Sequence, residues 1–145
     1  MGKSWFGTQP ASKPYTGPRI EERGETELAI TGAEAVALLT TAEGLERWLA
    51  APTRFSKHRG GTMEFTDGDR VFGGSFALLD VPERIVIVTE LHGEIDVRLS
   101  FPRSGARASV TMTCVAADER EVAALQVRLR ETTARLIAAL GEPSA

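Results

Sequence analysis

Asp118-Glu119-Arg120-Glu121-Val122-Ala123-Ala124-Leu125-Gln126-Val127-Arg128-Leu129-Arg130-Glu131-Thr132-Thr133-Ala134-Arg135-Leu136-Ile137-Ala138-Ala139-Leu140 is the stretch on which the fold turns. Asp118 with Glu121 three residues on is an N-terminal capping signature. Val122, Leu125, Leu129, Thr132, Thr133, Leu136, Ile137 and Leu140 recur at helical spacing and define one face. The opposite face carries Arg120, Arg128, Glu131 and Arg135, with Glu131 and Arg135 spaced to pair at i,i+4. Gly141 and Pro143 end the helix. At 1.5 Å per residue it runs about 33 Å, long enough to cross a whole sheet.

Upstream, the chain reads as strands from Thr53 to Ala117. Thr53 to His58 is a short candidate strand ended by Gly60-Gly61. Thr62 to Thr66 alternates, and Asp67-Gly68 is a hairpin signal. Arg70 to Leu79 is interrupted by Gly73-Gly74, which predicts a bulge or bend there. Ile85 to Leu91 is apolar on both faces and reads as central. Ile95, Val97, Leu99 and Phe101 alternate with polar residues, and so do Val110, Met112 and Cys114. Short strands joined by tight turns predict an antiparallel meander, and the long helix is its only available cover. Thr132 and Thr133 on the covering face suit the lining of a cavity better than a dry core.

Before the strands, Thr31-Gly32 opens a helix with Val36, Leu38 and Leu39 as its apolar stripe. Thr41 caps a second helix carrying Leu45, Trp48 and Leu49, which Pro52 stops. Residues 1–24, rich in glycine and proline, read as an irregular arm docked through Trp5, Phe6 and Tyr15. Glu25 to Ile30 is the candidate first strand.

The stretch Ala33 to Leu49 resembles the early helix pair of the START-like (SRPBCC) superfamily, in the branch related to the C-terminal domain of the heat-shock protein 90 ATPase activator. Gly74 to Val86, with Val81-Pro82-Glu83-Arg84 at its turn, resembles the second signature of that branch. Val36 departs from the tryptophan, and Thr89 from the aromatic, common in the family. The resemblance covers about residues 25–140 and implies an α+β helix-grip fold. In that fold a curved antiparallel sheet of about six or seven strands wraps the long C-terminal helix, with two short helices after the first strand. The expected organisation is an arm, 1–24, and one START-like domain, 25–141. Family members bind hydrophobic small molecules, act as cyclases or related enzymes, or bind protein partners, and share no catalytic set.

Composition narrows the function. The chain has 145 residues and a net charge of −3, which leaves no broad positive field for nucleic acid. Its single cysteine, Cys114, cannot form an internal disulfide and fits a reducing compartment. No signal peptide or membrane-spanning run is legible, so a cytoplasmic location is the expectation. No cofactor motif appears; Gly73-Gly74 lacks the following lysine of a phosphate loop.

The leading expectation is a cavity for a small hydrophobic molecule between the helix and the sheet. Its candidate lining from the sheet side is Trp48, Phe65, Phe76, Leu78, Val88, Glu90, Leu99 and Met112. From the helix it is Leu129, Thr132, Thr133 and Leu136. Thr132, Glu90 and His58 are candidate orienting groups. A co-chaperone-like partner-binding module, working through an apolar patch of the arm and the helix pair, is the second reading, and packing of the aromatic arm makes a homodimer a further expectation. A cyclase- or hydrolase-type enzyme with Glu90 as a buried acid is the third. No catalytic set or metal site is assigned. Glu90, His92 and Glu94 alternate as metal ligands would, but Gly93 makes a solvated turn the stronger reading. His58 with Arg54, Lys57 and Arg59 reads as a solvated strand edge. Cys114 reads as a small buried apolar residue.

Overall fold

A computed structural model describes residues 17–141. Trp5, Phe6 and Tyr15 lie outside the described residues, as does Pro143. The elements run β1 (Arg19–Glu27), α1 (Gly32–Thr40), α2 (Ala42–Trp48), β2 (Ala51–Arg54), β3 (Thr62–Asp67), β4 (Arg70–Asp80), β5 (Arg84–Thr89), β6 (Gly93–Ser100), β7 (Arg107–Val115) and α3 (Val122–Gly141). The strands form one antiparallel sheet of seven in the order β1-β7-β6-β5-β4-β3-β2. All but β1 lie in the order they leave the chain. β1 closes onto the last strand, so the first and last thirds of the sequence meet.

Local chemistry sets the helix ends. Thr31 and Glu34 form a reciprocal capping box on α1, and the Thr41 hydroxyl accepts the Gly44 N–H at the start of α2. The Asp118 carboxylate accepts the N–H groups of Arg120 and Glu121, which make a single 3₁₀ turn before α3. Glu121 in return accepts the Ala117 N–H. The expected capping of this helix is therefore present. Trp48 is buried and its indole N–H donates to the Leu38 carbonyl at 3.0 Å, which anchors α2 against α1.

Period two sorts the sheet. Ile85, Ile87, Ile95, Val97, Leu99, Val110 and Met112 point to the helices and form one core with Phe65, Phe72 and Phe76. The outer face carries the Arg84–Asp96–Arg98 cluster, with N···O distances of 3.0 and 3.3 Å to Asp96. α3 packs mainly on β1 and also against β7 and α2. At Gly24 of β1 a Cβ would come within 2.9 Å of Ile137 Cγ1, so glycine there permits the close approach of α3.

Three local expectations are corrected. β1 begins at Arg19, not Glu25, because an edge strand of alternating charges buries only Ile20 fully and carries little apolar signal. The strand expected over Thr53 to His58 is β2, Ala51–Arg54, so Pro52, read as the stop of the second helix, lies inside the strand and α2 already ends at Trp48. The irregularity in β4 falls between Phe76 and Leu78, not at Gly73-Gly74. Gly74 is instead a close-approach site, where a Cβ would sit 2.9 Å from the Val88 carbonyl.

Candidate functional site: two clefts beside the β5–β6 turn

The space under the C-terminal half of α3 is filled by the protein's own side chains. Trp48, Phe65, Phe76, Leu99, Met112, Leu129 and Leu136 are all buried in the core. None of them lines either cleft described below. Leu78 and Val88 lie on the other side of the sheet. The register shift after Phe76 turns Leu79 inward and leaves Leu78 opposite Val86. Val88 alternates with the inward Ile87 and Thr89, and is 38% exposed. Glu90 is exposed at the rim, its carboxylate accepting the Gly73 N–H. It is therefore not the buried acid an enzymatic reading requires. Thr133 is buried with no partner for its hydroxyl, against Gly24 of β1.

Open space lies on either side of the β5–β6 turn. One cleft, of about 240 Å³, runs between Leu49, the β3–β4 hairpin residues Asp67 and Arg70, the turn residues Leu91 and His92, and the α3 face from Ala124 to Arg135. The other, of about 430 Å³, lies between Thr89–Gly93, the end of β7 at Cys114 and Val115, and Glu121, Leu125 and Arg128 of α3. Leu91 and Arg128 line both.

His92 is the hub of the first cleft, and here the expectation of a solvated turn is overturned: the residue is 4% exposed. Its Nδ1 lies 2.9 Å from Thr89 Oγ1, which also accepts the His92 backbone N–H at 2.8 Å. Its Nε2 lies 3.2 Å from Thr132 Oγ1. The ring packs on Phe72, with centroids 5.7 Å apart, and Phe72 stacks on Phe65 at 5.3 Å. Burial pushes the imidazole down to about 4, and the guanidiniums of Arg128, Arg135 and Arg70 act in the same direction. The neutral ring donates through one nitrogen and accepts through the other, and a rotatable hydroxyl on each side suits either tautomer.

Two α3 arginines reach across to backbone carbonyls of other elements while staying in partial contact with solvent. Arg135 Nε donates to the Trp48 carbonyl at 3.1 Å, and its Nη2 to Thr132 Oγ1 at 3.0 Å. Arg128 Nη1 donates to the Leu91 carbonyl at 3.3 Å. The expected i,i+4 pairing of Glu131 with Arg135 gives way to these contacts, since a buried carbonyl offers a charge-assisted bond that a solvated carboxylate does not better. Arg128 and Arg135, expected on the solvated face, thus line the same cleft as Thr132, expected on the covering face. Cys114 is only partly buried; desolvation and the Glu121 carboxylate raise its thiol pKa. His58 is exposed, bonded to Ser56, and outside both clefts. Among the described residues no group of His, Cys, Asp and Glu is placed to hold a metal ion.

A seven-stranded antiparallel sheet gripped by one long C-terminal helix, with two short helices after the first strand, is the START-like helix-grip fold. Several solved structures share this fold. The Aha1 dimer from Colwellia psychrerythraea matches with a TM-score of 0.65 at 15% identity, over 88% of this chain and 99% of that one. An AHSA1-like protein from Aeromonas hydrophila matches with a TM-score of 0.54 at 20% identity, over 87% and 99%. DynU16, from the dynemicin biosynthetic locus, matches with a TM-score of 0.63 at 17% identity over 83% of this chain. This chain spans 46% of DynU16. At these identities the likeness is one of fold. No protein-family model matches the chain, and no curated protein matches it significantly. No helix among the described residues is long and apolar enough to cross a membrane.

Proposed function

We propose that this protein binds a small amphipathic molecule at the open end of the helix grip, between the first half of α3 and the β5–β6 turn. The observation that carries this reading is the location of the space: the core under the rest of α3 is closed, whereas two clefts flank this one turn. Their walls combine apolar Leu49, Leu91, Leu125 and Val127 with arginine, histidine and threonine. Small-molecule sites usually occupy about 300–1,000 Å³ and pair apolar walls with a few fixed polar groups. The larger cleft falls in that range. Burial of ligand carbon drives binding at about 25 cal/mol per Å² before ordering costs. Thr132 is the candidate lining residue from the sequence that stands in a cleft wall beside His92, and Glu90 stands in the other.

Native mass spectrometry of gently purified protein, with thermal-shift screening across lipid-like and polyketide-like compounds, tests the reading. A retained mass or a saturable rise in Tm that Val115→Arg, at a solvent-reaching wall residue of the larger cleft, abolishes is expected. The absence of both a retained compound and a shift overturns it.

A second reading, a partner-binding module working as a dimer, is favoured by the likeness to the Aha1 dimer along nearly the whole of both chains. Sedimentation of the full chain and stimulation of a chaperone ATPase test it. A monomer without effect on the ATPase removes it.

A further inference from the structure

We infer that the two clefts are halves of one groove for an amphipathic carboxylate, divided by the side chain of Arg128; the inference rests on the ligand-binding reading above. Leu91 and Arg128 are the residues common to both clefts. The bar between them is a single hydrogen bond, Arg128 Nη1 to the Leu91 carbonyl, at 3.3 Å. That is long for a charge-assisted contact, and it uses one of five guanidinium donors. A carboxylate arriving beside it offers a planar, bidentate partner that a carbonyl cannot match.

The charges around the bar say which end of the ligand goes where. The smaller cleft gathers Arg70, Arg128 and Arg135 around a histidine that is held neutral, against the carboxylates of Asp67 and Glu131. The larger cleft carries the carboxylates of Glu90 and Glu121, but both are already engaged by backbone N–H groups, of Gly73 and Ala117. Its remaining wall includes Leu91, Val115, Leu125 and Cys114. The acid head therefore sits at Arg128 on the side of Arg70, and the apolar tail lies in the larger cleft. Arg135 is held in place by two of its five donors, on Trp48 and Thr132, and adds its positive field to the same cleft. Arg128 thus serves as both partition and specificity determinant. An acid rotates it away from Leu91 and joins the two spaces, whereas a neutral or cationic analogue leaves the bar closed.

The test is isothermal titration of the full chain with three matched amphiphiles below their micellar concentrations: decanoate, decanol and decylamine. The expected result is decanoate bound about tenfold or more tighter than decanol, as one charge-assisted pair gives, with decylamine weakest. Arg128→Gln removes the preference for acid and leaves decanol affinity unchanged or improved. Arg130→Gln is the charge control: it lies on the exposed side of the same helix, outside both clefts, and keeps the preference. Decanol and decanoate binding equally, or an acid preference that survives Arg128→Gln, overturns the carboxylate inference while the ligand-binding reading stands. Binding of none of the three, with no hit in the broader screen, overturns both.

Discussion

His92 Nε2 lies 3.2 Å from Thr132 Oγ1, a contact between residues 40 positions apart that ties the β5–β6 turn to the middle of α3. The same hydroxyl receives Arg135, which in turn holds the end of α2 through Trp48. One threonine therefore joins the turn, the long helix and the helix pair.

Replacing that threonine by valine keeps the shape and removes the hydroxyl. His92 loses a partner in a buried setting, while the exposed Arg135 can replace its own with water, and an unsatisfied buried polar group costs about 1–3 kcal/mol. Thr132→Val should lower the urea midpoint accordingly. Thr133→Val should be neutral or stabilising, because the Thr133 hydroxyl has no partner to lose. Equal losses in the two variants would contradict this network.

The buried imidazole makes stability depend on pH with a definite sign. In the folded protein His92 titrates near 4, below its ordinary 6.5, so the unfolded chain takes up the proton first as pH falls. Stability is then lost between about pH 6.5 and pH 4 and levels off below, by up to about 3 kcal/mol in all. Urea unfolding at pH 7.5 and pH 4.5 should show this slope in the wild-type protein. His92→Gln should flatten it, although the variant is less stable at pH 7.5. An unchanged slope in the variant would assign the pH dependence to other groups.

Gly44 sits where α1 and α2 touch. A Cβ there would lie 2.4 Å from the Ala37 carbonyl oxygen and 2.6 Å from Leu38 Cα, both backbone atoms that cannot swing aside. Gly44→Ala should force the helices apart and cost about 3 kcal/mol or more, the upper end for overpacking. Gly68→Ala, at a hairpin glycine with φ +64° and open space around it, should cost only about 1–2 kcal/mol. Denaturant midpoints of the two variants check the order.

The closed core makes a prediction of its own. Phe76→Ala removes a fully buried ring that packs edge-on against Phe55 at 6.3 Å. It should cost about 3–5 kcal/mol and leave an apolar hole. Benzene should then raise the Tm of the variant and leave the wild type unmoved, as dry engineered cavities bind such guests. A wild-type protein stabilised by benzene to the same degree would mean the core already holds free space.

Much of the architecture is legible in local pattern. The capped amphipathic stretch ending at Leu140, the alternation of Ile95 to Leu99 and the Asp67-Gly68 hairpin each carry a signal within a few residues. β1 is not legible in this way. Its inward side presents Ile20, Glu22, Gly24 and Thr26, and only pairing with β7 makes it a strand. The same limit hid the site. Thr132 stands out as polar on an apolar stripe, but which of two adjacent threonines meets a cleft depends on where α3 rotates over β1.

Periodicity and capping thus determined that a long helix covers an antiparallel sheet, because both act over spans shorter than one element. Whether the covered space is empty or full was decided by tertiary packing, since side-chain volumes from Phe65, Phe76, Met112 and Leu129 add up only once the strands converge. Burial of His92 and the bonds that Arg128 and Arg135 make to remote carbonyls were decided in the same way. Each answers a carbonyl or hydroxyl that is remote in the chain, and only the folded sheet brings those groups within reach.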